Sequence, residues 1–421
     1  MKSFLPLIQS EWRLLLFGFA MMFGSSLGQT YFIGLFSGEI RAALDLSHGD
    51  FGGIYSAATL VSAVLLLWTG ALIDRMDLRR YAYLVTLGLA GACVVMAASS
   101  GPLVLFLAVL GLRQLGQGLM GMTASTTVVR YLDRHPGKAN ALSGMGYSVS
   151  EALLPSLVIA SLAFMTWRQS WLFWGGMALL VLLPVTRILL RDHDKRHREY
   201  LSGLEIPANS RGASGRRQWT RGEVVRDPAF YLFLPALMAQ PMLFTGFMFH
   251  QVHLVEVKGW PLAVWGSIYL LYAVVSTLFK LLAGVLADKV GALRLTPLMC
   301  LPFGVGFLLL ASSDALWVAV AFMSLMAVTI GIYSTIASPF FSEMYGTLHL
   351  GSIKSLTTAA MVFASAIAPV LMGWLIDVGI SMEAMAIASA VYIVFASLLA
   401  AFAVRKKWRS VPQAKEESSR Y

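Results

Sequence analysis

Residues 68–80 read WTGALIDRMDLRR, and residues 281–294 read LLAGVLADKVGALR. Gly70 falls on Gly284, Leu72 on Leu286 and Asp74 on Asp288, each pair 214 residues apart. The same offset governs a second match, in which HPGKANALSGMGYSVSEALLPSL at 135–157 aligns with HLGSIKSLTTAAMVFASAIAPVL at 349–371. There His135 pairs with His349, Gly137 with Gly351, Leu142 with Leu356, Ala152 with Ala366 and Pro155 with Pro369. One matched motif arises easily by chance. A constant spacing through several segments marks an internal duplication.

The duplicated segments lie in very apolar chain. Of 421 residues, 57% are hydrophobic and only 13% charged, and the mean hydropathy is +0.71. Soluble domains carry about 25% charged residues. A run of about 20 apolar residues crosses the ~30 Å hydrocarbon core as a helix rising about 1.5 Å per residue. Twelve such runs are expected, near 12–37, 51–73, 81–99, 102–129, 140–165 and 169–190, then 229–255, 263–287, 292–312, 315–341, 352–376 and 384–404. The predicted fold class is therefore all-α integral membrane, with twelve transmembrane helices in two pseudo-symmetric six-helix bundles. The chain divides into an N-terminal half (1–190), a polar linker (191–228), a C-terminal half (229–404) and a tail (405–421).

The first run, Trp12 to Phe36, is too long for a signal peptide's apolar core and no small-x-small site follows it, so it reads as span 1. Cys93 and Cys300 each sit inside an apolar run, which indicates neither a disulfide framework nor a metal site. No phosphate-binding loop, nucleophile motif or metal-ligand set is evident. The sequence thus points away from an enzyme and from a self-contained ATP-driven pump, and no cofactor is expected.

Basic residues orient the spans. With both termini in the cytoplasm, the inner side holds Arg75, Arg79, Arg80, Arg130, Arg134, Lys138, the linker, Lys289, Arg294, Lys354 and the tail cations, while the outside holds Arg41, Arg168 and Lys258. This asymmetry accounts for the net charge of +10 without a nucleic-acid partner. Short loops without a glycosylation sequon favour a bacterial inner membrane, and monomeric function is expected.

Residues 70–80 resemble the loop between spans 2 and 3 of the major facilitator superfamily, Gly-x-Leu-Ala-Asp-Arg-x-Gly-Arg-Arg. Gly70, Leu72, Asp74, Arg75, Arg79 and Arg80 carry the match, with Asp77 in place of the second glycine. The copy Gly284-Val-Leu-Ala-Asp288-Lys289-Val-Gly291 is closer, and Arg113-Gln-Leu-Gly116-Gln-Gly118 fits the family's span-4 arginine. The resemblance implies the twelve-span major facilitator fold and alternating access about a midplane site. It also implies a cytoplasmic gate at Gly70, Asp74, Arg75, Arg79, Gly284, Asp288 and Lys289. The stretch VVRYLDRHPGKANALSGMGYSVSEALLPSL looks most like the monocarboxylate and oxalate–formate branch. Lys280 stands where that branch commonly has an arginine, while Ser150 replaces a glycine and span 11 has no central cation.

A charge inside the bilayer costs a few kcal/mol on insertion scales and normally faces a cavity or a partner. Arg113 and Glu151 fall near the middle of spans 4 and 5. They read either as a structural pair or as a solute and proton site, since Arg suits carboxylates and burial favours a protonated Glu. Lys280 reads as a cavity-facing cation. Gln29, Tyr31, Gln117, Tyr147 and Tyr333 are candidates to line the path, against the alternative that they only pack helices. His250, His253 and Glu256, one helical turn apart, read as residues at the outer mouth, with metal binding or pH sensing as the sharper alternatives.

The leading expectation is secondary transport of a small organic anion, such as a monocarboxylate, by proton symport or exchange. The alternatives are a proton-coupled exporter of drugs or metabolites and a non-transporting receptor on the same fold. The implied partners are a small solute, protons and the lipid bilayer.

Overall fold

The structure is a computed structural model that describes residues 5–74, 76–132, 136–191, 219–346 and 349–410. The central part of the linker, residues 411–421 of the tail and Arg75 lie outside the described residues. The described residues are helical almost throughout, and eleven helices are long and apolar enough to cross a membrane. The expected span 1 is not among the eleven because it is broken. Leu5–Gly24 is followed by a 3-10 turn at Ser25–Gly28 and a short helix at Thr30–Gly34, with Gln29 extended between them (φ −83°, ψ 151°). Small residues explain the break. A Cβ on Gly28 would strike the Leu112 carbonyl, so span 1 bends where it lies against span 4.

Contacts divide the chain into two compact units. The first comprises Met1–Ala213, Thr245–Ala273 and Ala366–Ile380, and the second Ser214–Phe244, Val274–Ser365 and Ser381–Tyr421. The first unit thus holds all of the N-terminal spans together with one end each of spans 7, 8 and 11.

In the first unit, span 2 (His48–Thr69) starts with a reciprocal cap. The Ser47 hydroxyl accepts from the Asp50 N–H, and the Asp50 carboxylate accepts from the Ser47 N–H. Span 3 (Leu78–Ala97) is capped by Asp77, whose carboxylate accepts from the N–H groups of Arg79 and Arg80. Span 4 departs from α geometry over Leu112–Met120, a π-helical stretch containing Arg113, Gln114 and Gly116. Wide turns of this kind concentrate at functional sites. Span 5 is Pro136–Leu162, and span 6 begins at Trp167 behind a Thr166–Gln169 capping box.

In the second unit, Gly291 ends span 8 (Leu262–Val290) with a positive φ of 92°. It lies 214 residues after Asp77 and has no side chain with which to cap span 9. Glu343 does so from span 10 (Leu316–Tyr345), accepting from the N–H groups of Ala292 and Leu293 at 2.9 Å each. Both halves cap the helix after the motif loop, one locally and one from a distance.

Candidate solute site

The break in span 1 is where the buried polar groups gather. Arg113, on the π-helical turn, is 4% exposed. It donates from Nε to the Thr59 hydroxyl and from an Nη to the Gly28 carbonyl, both at 3.1 Å. Its guanidinium lies 5.2 Å from the centre of the Tyr55 ring. Unwinding at Ser25–Gly28 frees main-chain carbonyls, and Arg113 takes one of them. Its partners are neutral oxygens and a ring face; the expected carboxylate of Glu151 is not one of them. The Ser26 and Ser150 hydroxyls meet, tying the broken segment to span 5.

Glu151 is 5% exposed and stands one turn after Tyr147, whose hydroxyl lies 3.5 Å from its carboxylate. Its charge acts on Tyr31, Tyr147, Tyr269 and Tyr272, so the carboxylate sits among phenols from spans 1, 5 and 8. Tyr31 packs edge-on to Tyr147 at 6.3 Å and against Tyr269 at 5.9 Å. The structure therefore brings Tyr31, Tyr147 and Glu151 together, and Arg113 of span 4 holds the broken turn of span 1 through the Gly28 carbonyl.

The other candidates are placed differently. Gln29 is half-buried and forms the extended joint of span 1, and Gln117 is exposed. Tyr333, in the second unit, donates to the Leu237 carbonyl at 2.7 Å, which is a helix-packing role. Lys280 is half-buried in the same unit, and its main-chain carbonyl accepts from Thr335. Of the expected gate residues, Gly70 closes span 2 beside Met122 and Gly284 lies opposite Thr335. Arg79 sits 3.7 Å from Asp77, and Lys289 is exposed. Arg75 and the side chains of Asp74 and Asp288 lie outside the described parts.

Sequence reading missed Gln251. This buried amide follows the bend of span 7 at His250 and uses all four of its bonding positions. It donates to the carbonyls of Tyr31 and Met248, and accepts from Trp265 Nε1 and the Tyr269 hydroxyl. Around it, glycines bring helices from the two sequence halves into close approach within the first unit. A Cβ on Gly34 would meet the Met248 carbonyl, one on Gly52 the Pro369 carbonyl, and one on Gly266 the Ile159 side chain and the Ser156 main chain. Gly52 and Gly266 are themselves 214 residues apart, as are Pro369 and Pro155. The duplication therefore shows as two related glycine crossings, Gly52 of span 2 on Pro369 of span 11 and Gly266 of span 8 on Ser156 of span 5, next to Pro155. That signal was available in the sequence.

Broken and widened helices, buried ionisable groups among apolar spans and repeated close crossings of those spans mark a polytopic membrane transporter. The chain belongs to the Major Facilitator Superfamily, which matches it over residues 16–276 and again over 251–420. The protein is a multi-pass integral membrane transporter and not an enzyme.

Among solved structures, a nucleoside transporter, NupG, is similar over 95% of this chain and 99% of its own, with 14% identity and a TM-score of 0.67. A bacterial homolog of the human lysosomal transporter Spinster, in an inward-facing and unoccupied conformation, is similar over 95% of this chain and 98% of its own. Its identity is also 14% and its TM-score 0.65. These likenesses establish the fold. No curated protein sequence matches the chain.

Proposed function

We propose that this protein is a secondary active transporter moving a small organic anion, in the class of a monocarboxylate, by alternating access with a proton carried on Glu151. The observation that carries the reading is Arg113, a buried guanidinium held by a hydroxyl, a carbonyl and a ring, none of which neutralises it. Two of its five N–H groups are engaged there, and the fork suits a carboxylate. A fixed cation and a titratable carboxylate, both buried and both near Tyr147, are the chemistry of anion–proton symport. Protonating Glu151 removes its repulsion of the solute. The family supports transport, and neither structural neighbour supports this particular solute class.

The two six-span halves are proposed as the rocking bodies, with both termini on the cytoplasmic side of a bacterial inner membrane. Asp74, Arg75, Arg79, Asp288 and Lys289, with Gly70 and Gly284, would then form the cytoplasmic gate. The Gln251 cluster would form the outer one. Lys280 remains a candidate solute contact, tested by Lys280→Ala. The exporter reading draws support from the phenol rings around Glu151, which would equally receive an organic cation.

Counterflow in proteoliposomes against carboxylates, nucleosides, sugars and cationic drugs, with and without a pH gradient, distinguishes these readings. The proposal expects exchange of a carboxylate, loss of it in Arg113→Gln, and exchange that persists in Glu151→Gln but is no longer driven by a pH gradient. Exchange of cationic drugs alone would overturn it.

A further inference from the structure

A layer of ionisable side chains in the first unit plays no part in the solute site. Arg41 stands on the helix Ser37–Leu44, His48 starts span 2, His250 and His253 flank the bend after span 7, and Asp377 ends span 11. The His48 ring centroid is 4.4 Å from that of His253 and 5.7 Å from that of His250. His250 donates from Nε2 to the Pro369 carbonyl at 2.9 Å, the same carbonyl that Gly52 approaches. Asp377 accepts from the N–H groups of His48 and Gly49 at 3.0 and 2.7 Å, so a carboxylate from span 11 caps span 2.

We propose that this histidine layer is an acid-sensitive lock: neutral imidazoles hold span 2 against the ends of spans 7 and 11, and protonation of His48 and His253 parts them. Two imidazoles in ring contact are compatible with packing only while at least one is neutral. Arg41 already acts on all three histidines as a positive charge, opposed by Asp377 at His48 and His250 and by Glu256 at His253. The acidic groups nearby are Asp377, Glu256 and Asp50. Asp377 is committed to two main-chain N–H groups, and Asp50 to the Ser47 cap. Glu256 is exposed, one turn beyond His253.

Ring contact with His48 and the positive charge of Arg41 disfavour a second proton on the pair while the layer is closed, and Glu256 opposes Arg41 at His253. A group whose pKa is depressed in the closed arrangement takes its proton more readily once the layer parts. Falling pH through the ordinary histidine value of about 6.5 therefore favours parting. Among the described residues no cluster of three or more His, Cys, Asp or Glu could hold a metal ion, so the layer is read for protons. The lock deepens the proposed alternating access, because it would open the outer end on the acidic side. It does not depend on Glu151 being the proton carrier.

The test uses the full chain in nanodiscs, with Cys93 and Cys300 replaced by Ala and spin labels at Ala43 and Val378. Both label positions are exposed, on segments at either side of the layer. Pulsed electron resonance at about pH 7.5 and about pH 5 brackets the histidine titration. The long-distance population is expected to grow at least threefold at the acidic value. The double variant His48→Gln/His253→Gln should lose that growth and His253→Gln alone should at least halve it, and both keep the main-chain N–H of residue 48 that Asp377 caps. Glu151→Gln should retain it, which separates the lock from proton coupling at the solute site. Distances indifferent to pH in the native chain would overturn the proposal. So would a double variant that responds as the native chain does, or a Glu151→Gln variant that no longer responds.

Discussion

Gln251 donates from its side-chain nitrogen to the main-chain carbonyl of Tyr31, 220 residues earlier in the chain, at 2.7 Å. With Trp265 and Tyr269 donating to its oxygen, one amide ties the broken span 1 to spans 7 and 8 within the first unit. Tyr31 and Tyr269 are also two of the phenols around Glu151. The Gln251 cluster and the surroundings of Glu151 therefore share two residues.

Replacing Gln251 with Leu strands the Trp265 N–H, the Tyr269 hydroxyl and the Tyr31 carbonyl in a buried place. Each unsatisfied group costs about 1–3 kcal/mol. Gln251→Leu should melt several degrees below the native protein in detergent and transport slowly. An unchanged melting temperature would show that the amide does not hold the three helices together.

The two glycine crossings should respond unequally. A Cβ at position 52 would lie 2.5 Å from the Pro369 carbonyl, an atom of the backbone, whereas one at 266 first meets the end of the Ile159 side chain at 2.6 Å. Side-chain ends move aside and backbones do not. Gly52→Ala is expected to cut uptake roughly tenfold or more and Gly266→Ala roughly threefold or less, scaled to about 1.4 kcal/mol per decade. Initial uptake rates per folded transporter decide it, and equal losses would contradict the asymmetry.

Arg113→Lys keeps a charge but not the fork that reaches both Thr59 and Gly28. Losing one of these bonds leaves a buried acceptor unpaired at about 1–3 kcal/mol. The variant should bind solute at least tenfold more weakly and show a lower melting temperature. Native-like affinity would mean that only the charge matters.

Asp77 departs from the family's glycine, yet it caps span 3, and Glu343 performs the equivalent task for span 9. Removing an N-cap side chain costs about 0.5–2 kcal/mol. Asp77→Ala and Glu343→Ala should each lower thermal stability by that order. A neutral Asp77→Ala would make the substitution at this position incidental.

The two-fold repeat, the span count and the family were legible in the sequence because each rests on local signals: hydropathy over one helix length and motif spacing along one chain. Glu151 and Arg113 stood out for the same reason, as charges at membrane depth. Their partners did not. A hydrogen bond at 2.7 Å between residues 220 apart leaves no trace in composition. The break in span 1 hides behind a continuous apolar run, because only the approach of Gly28 to span 4 reveals why the helix unwinds there. Sequence alone determined a duplicated membrane transporter with buried charges in spans 4 and 5. The tertiary structure decided that Arg113 serves the broken helix and that Glu151 sits among phenols. It also decided that Gln251 ties the broken span 1 to spans 7 and 8, since only folding sets which distant groups must satisfy one another away from water.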